Sequence, residues 1–219
     1  ARVAGPVSGN GLLRKEQYRR SDDPYATTAI VRNLLAGKIH NQHAVLARGW
    51  RDHRGVLPDP AKYEHAVARL KRIPLRMLEA EITTDFLRGL EGEAALAYFS
   101  VMDQLIRTET PALHFSGRTR RPPQDAFNAL LSFLYTLLTH DCRSALETVG
   151  LDPAVGFLHR DRPGRPSLAL DLAEEFRALL GDRLALSLVN LRQVGEKDFR
   201  VADGGAVYLT DEGRKKVLV

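Results

Sequence analysis

The sequence predicts a mainly α-helical protein with a small β-hairpin near its C-terminus. Apolar residues recur at helical spacing from about residue 23 to residue 194, with charged residues between them. Most of these stretches begin with serine, aspartate or proline, which are typical of helix N-termini. Two short alternating runs on either side of "DGG", residues 203–205, predict the hairpin.

Residues 1–22 have a different pattern. "GPVSGNG" is punctuated by glycine and proline, and "LLRKEQY" is typical of a short edge strand. We interpret residues 1–22 as the remnant of an N-terminal β-strand domain with a linker, and residues 23–219 as an α-helical domain.

Several helices are expected in the second domain. "SDDP" begins the first, and Pro60 and Pro74 begin and end the next. A helical pattern over residues 75–106 is interrupted by two glycines. Residues 124–149 are apolar nearly all round, so this helix should be central and buried. Shorter helices are expected to begin at Ser167, Asp182 and Thr210.

The composition excludes several classes of protein. The chain has 219 residues, 44% hydrophobic and 27% charged, and charges interrupt every apolar run before it reaches the length of a membrane span. Cys142 is the single cysteine, so a disulfide framework and a cysteine zinc site are excluded and a cytoplasmic location is expected. The net charge of +5 is a mild indication of an anionic partner. No dinucleotide-binding, Walker, nucleophile-elbow or zincin motif occurs.

An acidic helix and a histidine form the first candidate site. Asp171 and Glu174 are neighbours on the predicted helix, where either a solvated acidic face or a bound cation would accommodate two carboxylates. His159 follows the apolar run "VGFL", and an imidazole beside carboxylates suits magnesium or a transition ion, although a lone histidine is more often a core residue. The pattern does not choose between Glu174 and Glu175. The helical wheel places the core face on Leu168, Leu172, Phe176 and Leu179.

Glu91 is a further candidate. It lies between two glycines just before an apolar run, so its carboxylate could approach a ligand closely, or it could simply cap the helix.

Arginine is concentrated in two loops, which contain Arg118, Arg120 and Arg121, and Arg160, Arg162 and Arg165. Guanidinium groups bind phosphate bidentately, so arginines beside an acidic site are what an enzyme acting on phosphodiesters needs. A solvated loop is the alternative.

The long apolar helix carries polar residues on one face, namely Asn128, Ser132, Tyr135 and Thr139. Buried polar groups need hydrogen-bond partners, so these residues either link neighbouring helices by hydrogen bonds or hold the residues of the acidic site in position.

Four stretches together resemble a known family. "AGKIHNQHAVL", "LRGLEGEAALAYF", "RRPPQDAFNALLSFLYTLL" and "VGFLHRDRPGRPSLALDLAEEFR" are similar, in this order, to the CRISPR-associated integrase, the metal-dependent nuclease subunit of spacer acquisition. The resemblance covers nearly all of the chain, and the arginine-rich loop is most similar to the subtype I-C lineage.

This resemblance implies a β-sandwich-like domain followed by a helical catalytic domain, with residues 1–22 at the end of the first and residues 23–219 forming most of the second. A truncated form is therefore expected. The implied partners are protospacer and CRISPR-repeat DNA, a second copy in the full-length protein, a small ferredoxin-fold CRISPR-associated protein and an iron–sulfur exonuclease.

The resemblance also implies site residues. Glu91, His159 and Glu174 would bind one Mg²⁺ or Mn²⁺, and Asp171 would be an accessory catalytic carboxylate. The family's usual Asp-x-x-Asp is here Asp171-x-x-Glu174, a departure in the second acid. Arginines of both loops would bind DNA, with Arg162 and Arg165 nearest the metal.

The implied reaction is integration, in which the 3′-hydroxyl of a protospacer attacks a phosphodiester at the edge of a CRISPR repeat. Two alternatives stay open at the level of sequence. One is a general metal-dependent nuclease acting on branched DNA, and the other is a non-catalytic basic scaffold that binds DNA or a partner.

Overall fold

The chain folds into helices that pack around two long central helices. The computed structural model describes residues 10–78 and 82–218. The helices are α1 (Gly11–Asp22), α2 (Pro24–His53), α3 (Pro60–Arg76), α4 (Thr84–Phe99), α5 (Ala126–Thr148), α6 (Ser167–Phe176), α7 (Arg183–Asn190) and α8 (Asp211–Leu218). Short 3₁₀ turns lie at Arg54–Val56, Met102–Leu105, Pro111–Leu113 and Glu196–Asp198. The mainly α-helical class is confirmed.

Polar side chains begin several of these helices. Asp23, Asp59, Thr83 and Asp125 each accept a hydrogen bond from a backbone N–H two or three residues further along the chain. These bonds satisfy donors that the first turn of a helix leaves unpaired. The predicted helix starts at "SDDP" and at Pro60 are confirmed.

Helices α2 and α5 form the centre of the molecule. Helix α2 packs against α3, α4 and α6, and α5 packs against α6 and strand β2 (Val207–Leu209). The side chains of Leu35 and Ile39 on α2, and of Phe127 and Leu130 on α5, are fully buried. The prediction of a central helix over residues 124–149 is confirmed, but α5 is buried mainly in its first half, and Thr136, His140 and Ser144 in its second half are exposed.

The interpretation of "LLRKEQY" as an edge strand is wrong, because these residues lie in α1. Asn10 caps this helix. Gln17 is buried and its amide nitrogen donates to the carbonyl oxygens of Asp152 and Val155, at 2.8 and 2.9 Å. Long-range hydrogen bonds therefore hold α1 on the connection that precedes α6. Residues 1–9, which carry most of the predicted turn-rich segment, lie outside the described residues, and the division at residue 22 stays a prediction.

Some predicted helix boundaries differ from the observed ones. Helix α4 runs through Gly89 and Gly92 without a break, and α3 continues past Pro74 to Arg76. A π-helical stretch, Arg177–Asp182, joins α6 to α7, so Asp182 does not begin a new helix. The backbone of Asp182 is helical and its side chain is buried, whereas an N-cap residue has a non-helical backbone and its side chain bonds to the first turn of the helix.

The predicted hairpin is confirmed. Strands β1 (Phe199–Val201) and β2 are antiparallel, with Phe199 opposite Leu209 and Val201 opposite Val207. Gly204 and Gly205 have φ values of 85° and 81° in the turn, a conformation that glycine adopts without steric cost. Over residues 10–78 and 82–218, the structure has no helix with the length and apolar character of a membrane span.

Candidate functional site

The connection between α5 and α6 is anchored on one carboxylate. Asp171 is fully buried, and it accepts backbone N–H groups of Phe157, Leu158 and His159 at 2.6, 2.9 and 2.9 Å. Its Oδ1 also lies 2.6 Å from His159 Nδ1. Because a carboxylate only accepts, Nδ1 carries the proton, and in the neutral ring Nε2 is the nitrogen with the free lone pair. Asp171 therefore orients His159, and its own oxygens are already occupied.

Glycine at position 156 is required by this packing. A Cβ atom there would lie 2.7 Å from Ser167 Cβ and 2.9 Å from Asp171 Oδ2. Such contacts are well below van der Waals distance, so the connection can pass this close to α6 only without a side chain.

Glu174 lies one turn further along α6 and faces the same cleft. Its Oε1 is 2.5 Å from Arg177 Nη1 and 3.9 Å from His159 Nε2. Its Oε2 is 2.7 Å from the ammonium of Lys38 on α2, which also pairs with Oε1 of Glu91 on α4. Glu91, His159 and Glu174, which sequence analysis singled out on separate elements, therefore lie together at one site.

Electrostatics keep Glu174 ionised. Burial by itself would raise the pKa of this carboxyl, but the nearby cations Lys38 and Arg177 outweigh burial and lower the pKa to about 2. Glu174 therefore carries a full negative charge at neutral pH.

The solvated acidic face, one of two interpretations of α6, is wrong. Asp171 is 0% and Glu174 5% exposed, whereas Phe176, predicted on the core face, is 36% exposed. The carboxylates point inward because α2 provides Lys38 for Glu174 and the connection provides N–H donors for Asp171. A helical wheel assigns charged residues to the solvent face, so it cannot predict that a carboxylate is buried beside a cation from another helix.

Glu175 points elsewhere. Its side chain lies against Gly37 of α2, where a Cβ atom would be 2.8 Å from Glu175 Cδ. Its backbone oxygen accepts from Asn41 Nδ2 at 2.8 Å. The choice between Glu174 and Glu175, which the sequence left open, therefore falls on Glu174 as the residue that faces His159.

Arginines form the rim of a cleft of about 370 Å³ above these side chains. Its lining includes Glu91, His159 and Glu174 together with five arginines, which are Arg88, Arg120, Arg160, Arg162 and Arg165. Arg88 was missed by sequence analysis, and its guanidinium donates to the Leu158 carbonyl at 2.9 and 3.2 Å. Four of the six arginines predicted to bind DNA thus lie at the acidic site.

The other two predicted arginines are placed differently. The Arg118 guanidinium donates to Asn128 Oδ1 at 2.6 Å and lies 5.3 Å from the centre of the Tyr135 ring, so it is engaged inside the protein. Burial lowers the pKa of Arg118. Arg121 is exposed and lines a neighbouring cavity with Arg120 and Arg214.

The polar residues of α5 mainly serve local structure. Asn128 is fully buried and donates to the Gly117 carbonyl at 2.7 Å, which holds the preceding loop. Ser132 and Thr139 donate to carbonyls of their own helix. Tyr135 alone reaches toward the acidic residues, because its ring lies 4.8 Å from the guanidinium of Arg177, which binds Glu174.

The donor types at this site suit a divalent cation, but Lys38 stands between two of them. Two carboxylates and a lone-pair nitrogen are ligands that Mg²⁺ and Mn²⁺ accept. Glu174 Oε2 is buried and makes no hydrogen bond of ordinary geometry, despite its ion pair with Lys38. Within residues 10–78 and 82–218, no three histidine, cysteine or acidic side chains lie in the geometry of a metal site.

Lys38 was also missed, although the sequence carries a signal for it. It falls within the apolar stripe of α2 formed by Leu35, Ile39 and Leu46, and it is 6% exposed. Lysines are almost never this buried without a partner, so a lysine in such a stripe indicates a buried acid elsewhere in the chain.

Fold and site together define a helical domain with a carboxylate–histidine centre beneath a basic cleft. Comparison with protein families then identifies its family. Residues 1–219 match the family described as CRISPR associated protein Cas1, and the chain belongs to that family.

Curated relatives are similar over the whole chain. A protein of Rhodospirillum rubrum named CRISPR-associated endonuclease Cas1 2 is 59% identical over 220 residues, covering 100% of this chain and 63% of its own length. CRISPR-associated endonuclease Cas1 1 of Chlorobaculum tepidum is 52% identical, over 99% of this chain and 62% of its length. A Cas4/Cas1 exonuclease–endonuclease fusion of Rhodospirillum rubrum is 42% identical over 92% of this chain and 35% of the fusion. The chain thus spans less than two thirds of these relatives.

Solved structures share the fold. A Cas1 protein from Thermotoga maritima superposes with a TM-score of 0.79 and 30% identity, covering 96% of this chain and 62% of that one. A casposase bound to its integration product gives 0.78 and 28%, covering 96% of this chain and 56% of the casposase. A chain in a partial Cas6-RT-Cas1–Cas2 complex gives 0.82 and 29%, covering all of this chain and 63% of that chain.

Proposed function

We propose that this chain carries the catalytic centre of a divalent-metal-dependent DNA integrase that joins the 3′-hydroxyl of a protospacer to a CRISPR repeat. The observation that carries the proposal is the convergence of Glu91, His159 and Glu174 at the floor of an arginine-lined cleft. Family membership and the similarity to a casposase bound to an integration product support it.

The reaction is a transesterification. The 3′-oxygen forms a new bond to the repeat phosphorus, the bond from phosphorus to the leaving oxygen breaks, and one proton passes from the attacking to the leaving oxygen. The number of phosphodiester bonds is conserved, so no external energy source is needed. The protein's task is therefore positioning and charge stabilisation.

Each site residue has a part in this scheme. Glu91, Glu174 and His159 Nε2 would hold Mg²⁺ or Mn²⁺, which when bound would neutralise charge on the attacked phosphate and favour deprotonation of the hydroxyl. Asp171 keeps His159 in the tautomer that has a free Nε2. Arg162 and Arg165 at the cleft would donate hydrogen bonds to phosphate oxygens.

Hydrolysis is a second candidate activity, because the curated relatives are named endonucleases. Water would replace the 3′-hydroxyl as the nucleophile at the same site, and branched DNA would be cut. The two activities differ in their products, which are a joined branch for integration and free ends for hydrolysis.

Partners of the proposed enzyme follow from its relatives. We expect protospacer and repeat DNA as substrates and Cas2 and Cas4 proteins as associates, because similar chains occur in a Cas1–Cas2 complex and in a Cas4/Cas1 fusion. A second copy of the chain is a further proposed partner.

A pair of adjacent glutamates provides the test. We expect Glu174→Gln to lower strand transfer with Mn²⁺ by more than about 100-fold, because a direct ligand to a catalytic cation is lost. Glu175→Gln, equal in charge change but directed at Gly37, should stay within about threefold of the parent protein. Transfer of labelled protospacer DNA into a plasmid with a repeat, with Cas2 present, measures both. An equal loss of strand transfer in the two variants would show that these acidic residues act only through long-range electrostatics and not as metal ligands.

A further inference from the structure

Lys38 is a buried lysine in the apolar stripe of a central helix. Its side chain is 7% exposed, and its neighbours on the same face of α2 are Leu35, Ile39 and Gln42. An ammonium is costly to bury unless it is paired with an acidic group, so the partners of Lys38 explain why it can lie there.

Those partners are two carboxylates from two different helices. The ammonium contacts one oxygen of Glu91 on α4 and lies 2.7 Å from one oxygen of Glu174 on α6. A single cation thus bridges two carboxylates that would otherwise repel each other. A bound metal ion would bridge the same pair of side chains.

The charges of the four side chains around this bridge balance. Glu91 and Glu174 contribute two negative charges, and Lys38 and Arg177 contribute two positive ones. A divalent cation entering between the carboxylates would meet the ammonium at close range, where two cations repel strongly in a medium of low dielectric constant. The metal ion and the ammonium therefore cannot both stay at the bridging position.

Lys38 is the group that can move away. Its charge sits at the end of a flexible four-carbon stem, whereas Arg177 is a planar group held by Glu174 on one side and the Tyr135 ring on the other. The cleft lined by Glu91 and Glu174 opens directly beside the bridge.

We propose that Lys38 is an internal counter-cation of this centre, which neutralises Glu91 and Glu174 in the metal-free protein and competes with the divalent cation for them. The proposal rests on the metal-dependent function proposed above. One consequence is that the parent protein binds the metal ion more weakly than the same ligands would without the Lys38 ammonium. A second is that Lys38 stabilises the metal-free fold.

The test replaces Lys38 with a neutral side chain of similar length. We expect Lys38→Met to bind Mn²⁺ at least about tenfold more tightly by isothermal titration calorimetry, because no ammonium has to leave. In EDTA its melting temperature should fall by about 5 °C or more, since the buried carboxylate of Glu174 and the partly exposed one of Glu91 lose their shared cation. Lys15→Met, which removes an exposed lysine on α1, should change neither quantity.

The outcomes separate the two proposals. Tighter Mn²⁺ binding in Lys38→Met, including binding there with none in the parent, supports Lys38 as the competitor. Unchanged or weaker binding in the variant overturns that role but leaves the metal-dependent function standing. If neither protein binds Mn²⁺ while both are folded, the metal-dependent function falls and the role of Lys38 falls with it.

A measurement on the parent protein covers the case in which Lys38→Met does not fold. The ammonium of a buried, paired lysine exchanges its protons slowly enough to give a ¹H–¹⁵N signal, and Lys38→Arg identifies that signal by its loss. We expect addition of Mg²⁺ to shift or remove the Lys38 signal in step with metal binding. A Lys38 signal that persists unchanged while Mg²⁺ binds would overturn the competition.

Discussion

Asp171 Oδ1 lies 2.6 Å from His159 Nδ1, and the same carboxylate accepts three consecutive backbone N–H groups, including that of His159 itself. One buried charge therefore fixes both the backbone and the ring orientation of the histidine. Loss of this charge should affect the stability of the fold and the binding properties of His159 together.

We expect Asp171→Asn to lower the free energy of unfolding by about 2–4 kcal/mol, because an amide cannot accept from all of these donors and leaves some unpaired. Mn²⁺ affinity should fall by roughly 10–100-fold, since His159 loses its fixed tautomer. Urea denaturation in EDTA and calorimetry measure the two effects. Asp203→Asn, in the exposed turn of the hairpin, is the control, and similar behaviour of both variants would contradict the anchoring role.

The close approach at Gly156 can be tested separately from charge. Gly156→Ala should destabilise the protein by about 1–3 kcal/mol, because the added methyl group would overlap Ser167 and Asp171. Gly55→Ala adds the same methyl group where no atom lies within 4 Å, and it should be neutral or slightly stabilising. Chemical denaturation compares the two. Equal stability would mean that the connection can shift away from α6 at no cost.

The cleft arginines should govern salt-dependent DNA binding. Replacing Arg162 and Arg165 with alanine removes two charges from the cleft that contains Glu91 and Glu174. We expect weaker binding of duplex DNA and a slope of log K against log salt that is shallower by about 2, because fewer counterions are released. Fluorescence anisotropy at several salt concentrations gives this slope. The double variant of Arg19 and Arg20, exposed on α1, should retain the parent slope.

Asp182 should make stability depend on pH in an unusual direction. It is almost completely buried, and burial raises its pKa to about 6, although hydrogen bonds from Tyr135 and Tyr98 at 2.5 and 2.9 Å oppose the rise. The folded state then holds the proton more tightly than the unfolded state, whose pKa is near 3.8. This contribution is full below about pH 4 and is lost as the pH rises through about 6.

The variant Asp182→Asn isolates this effect, because the amide does not titrate. From pH 4 to pH 7 its stability relative to the parent protein should rise by about 2.5 kcal/mol, which is most of the pKa difference expressed as free energy. Urea denaturation at several pH values measures the difference. A difference between the two proteins that is the same at every pH would show that Asp182 has an ordinary pKa in the folded state.

Local patterns in the sequence determined much of this protein. Apolar spacing located the central helices, capping residues such as Asp23 located their starts, and the "DGG" turn located the hairpin. These features depend on residues close together in the chain, so they can be predicted without knowledge of the tertiary structure. Side-chain chemistry likewise identified Glu91 and His159 as candidates, although it could not bring them together.

The tertiary structure decided which charged groups meet. It selected Glu174 over Glu175 by packing α6 against Gly37, turned Arg118 inward onto Asn128, and placed Lys38 between two carboxylates. It also made a helix of residues 11–22, where Gln17 bonds to carbonyls 135 and 138 positions away in the chain. Helical periodicity reports only whether a position prefers water. A buried charge looks exposed by that criterion until its distant partner is known, because the stabilising energy comes from the pair.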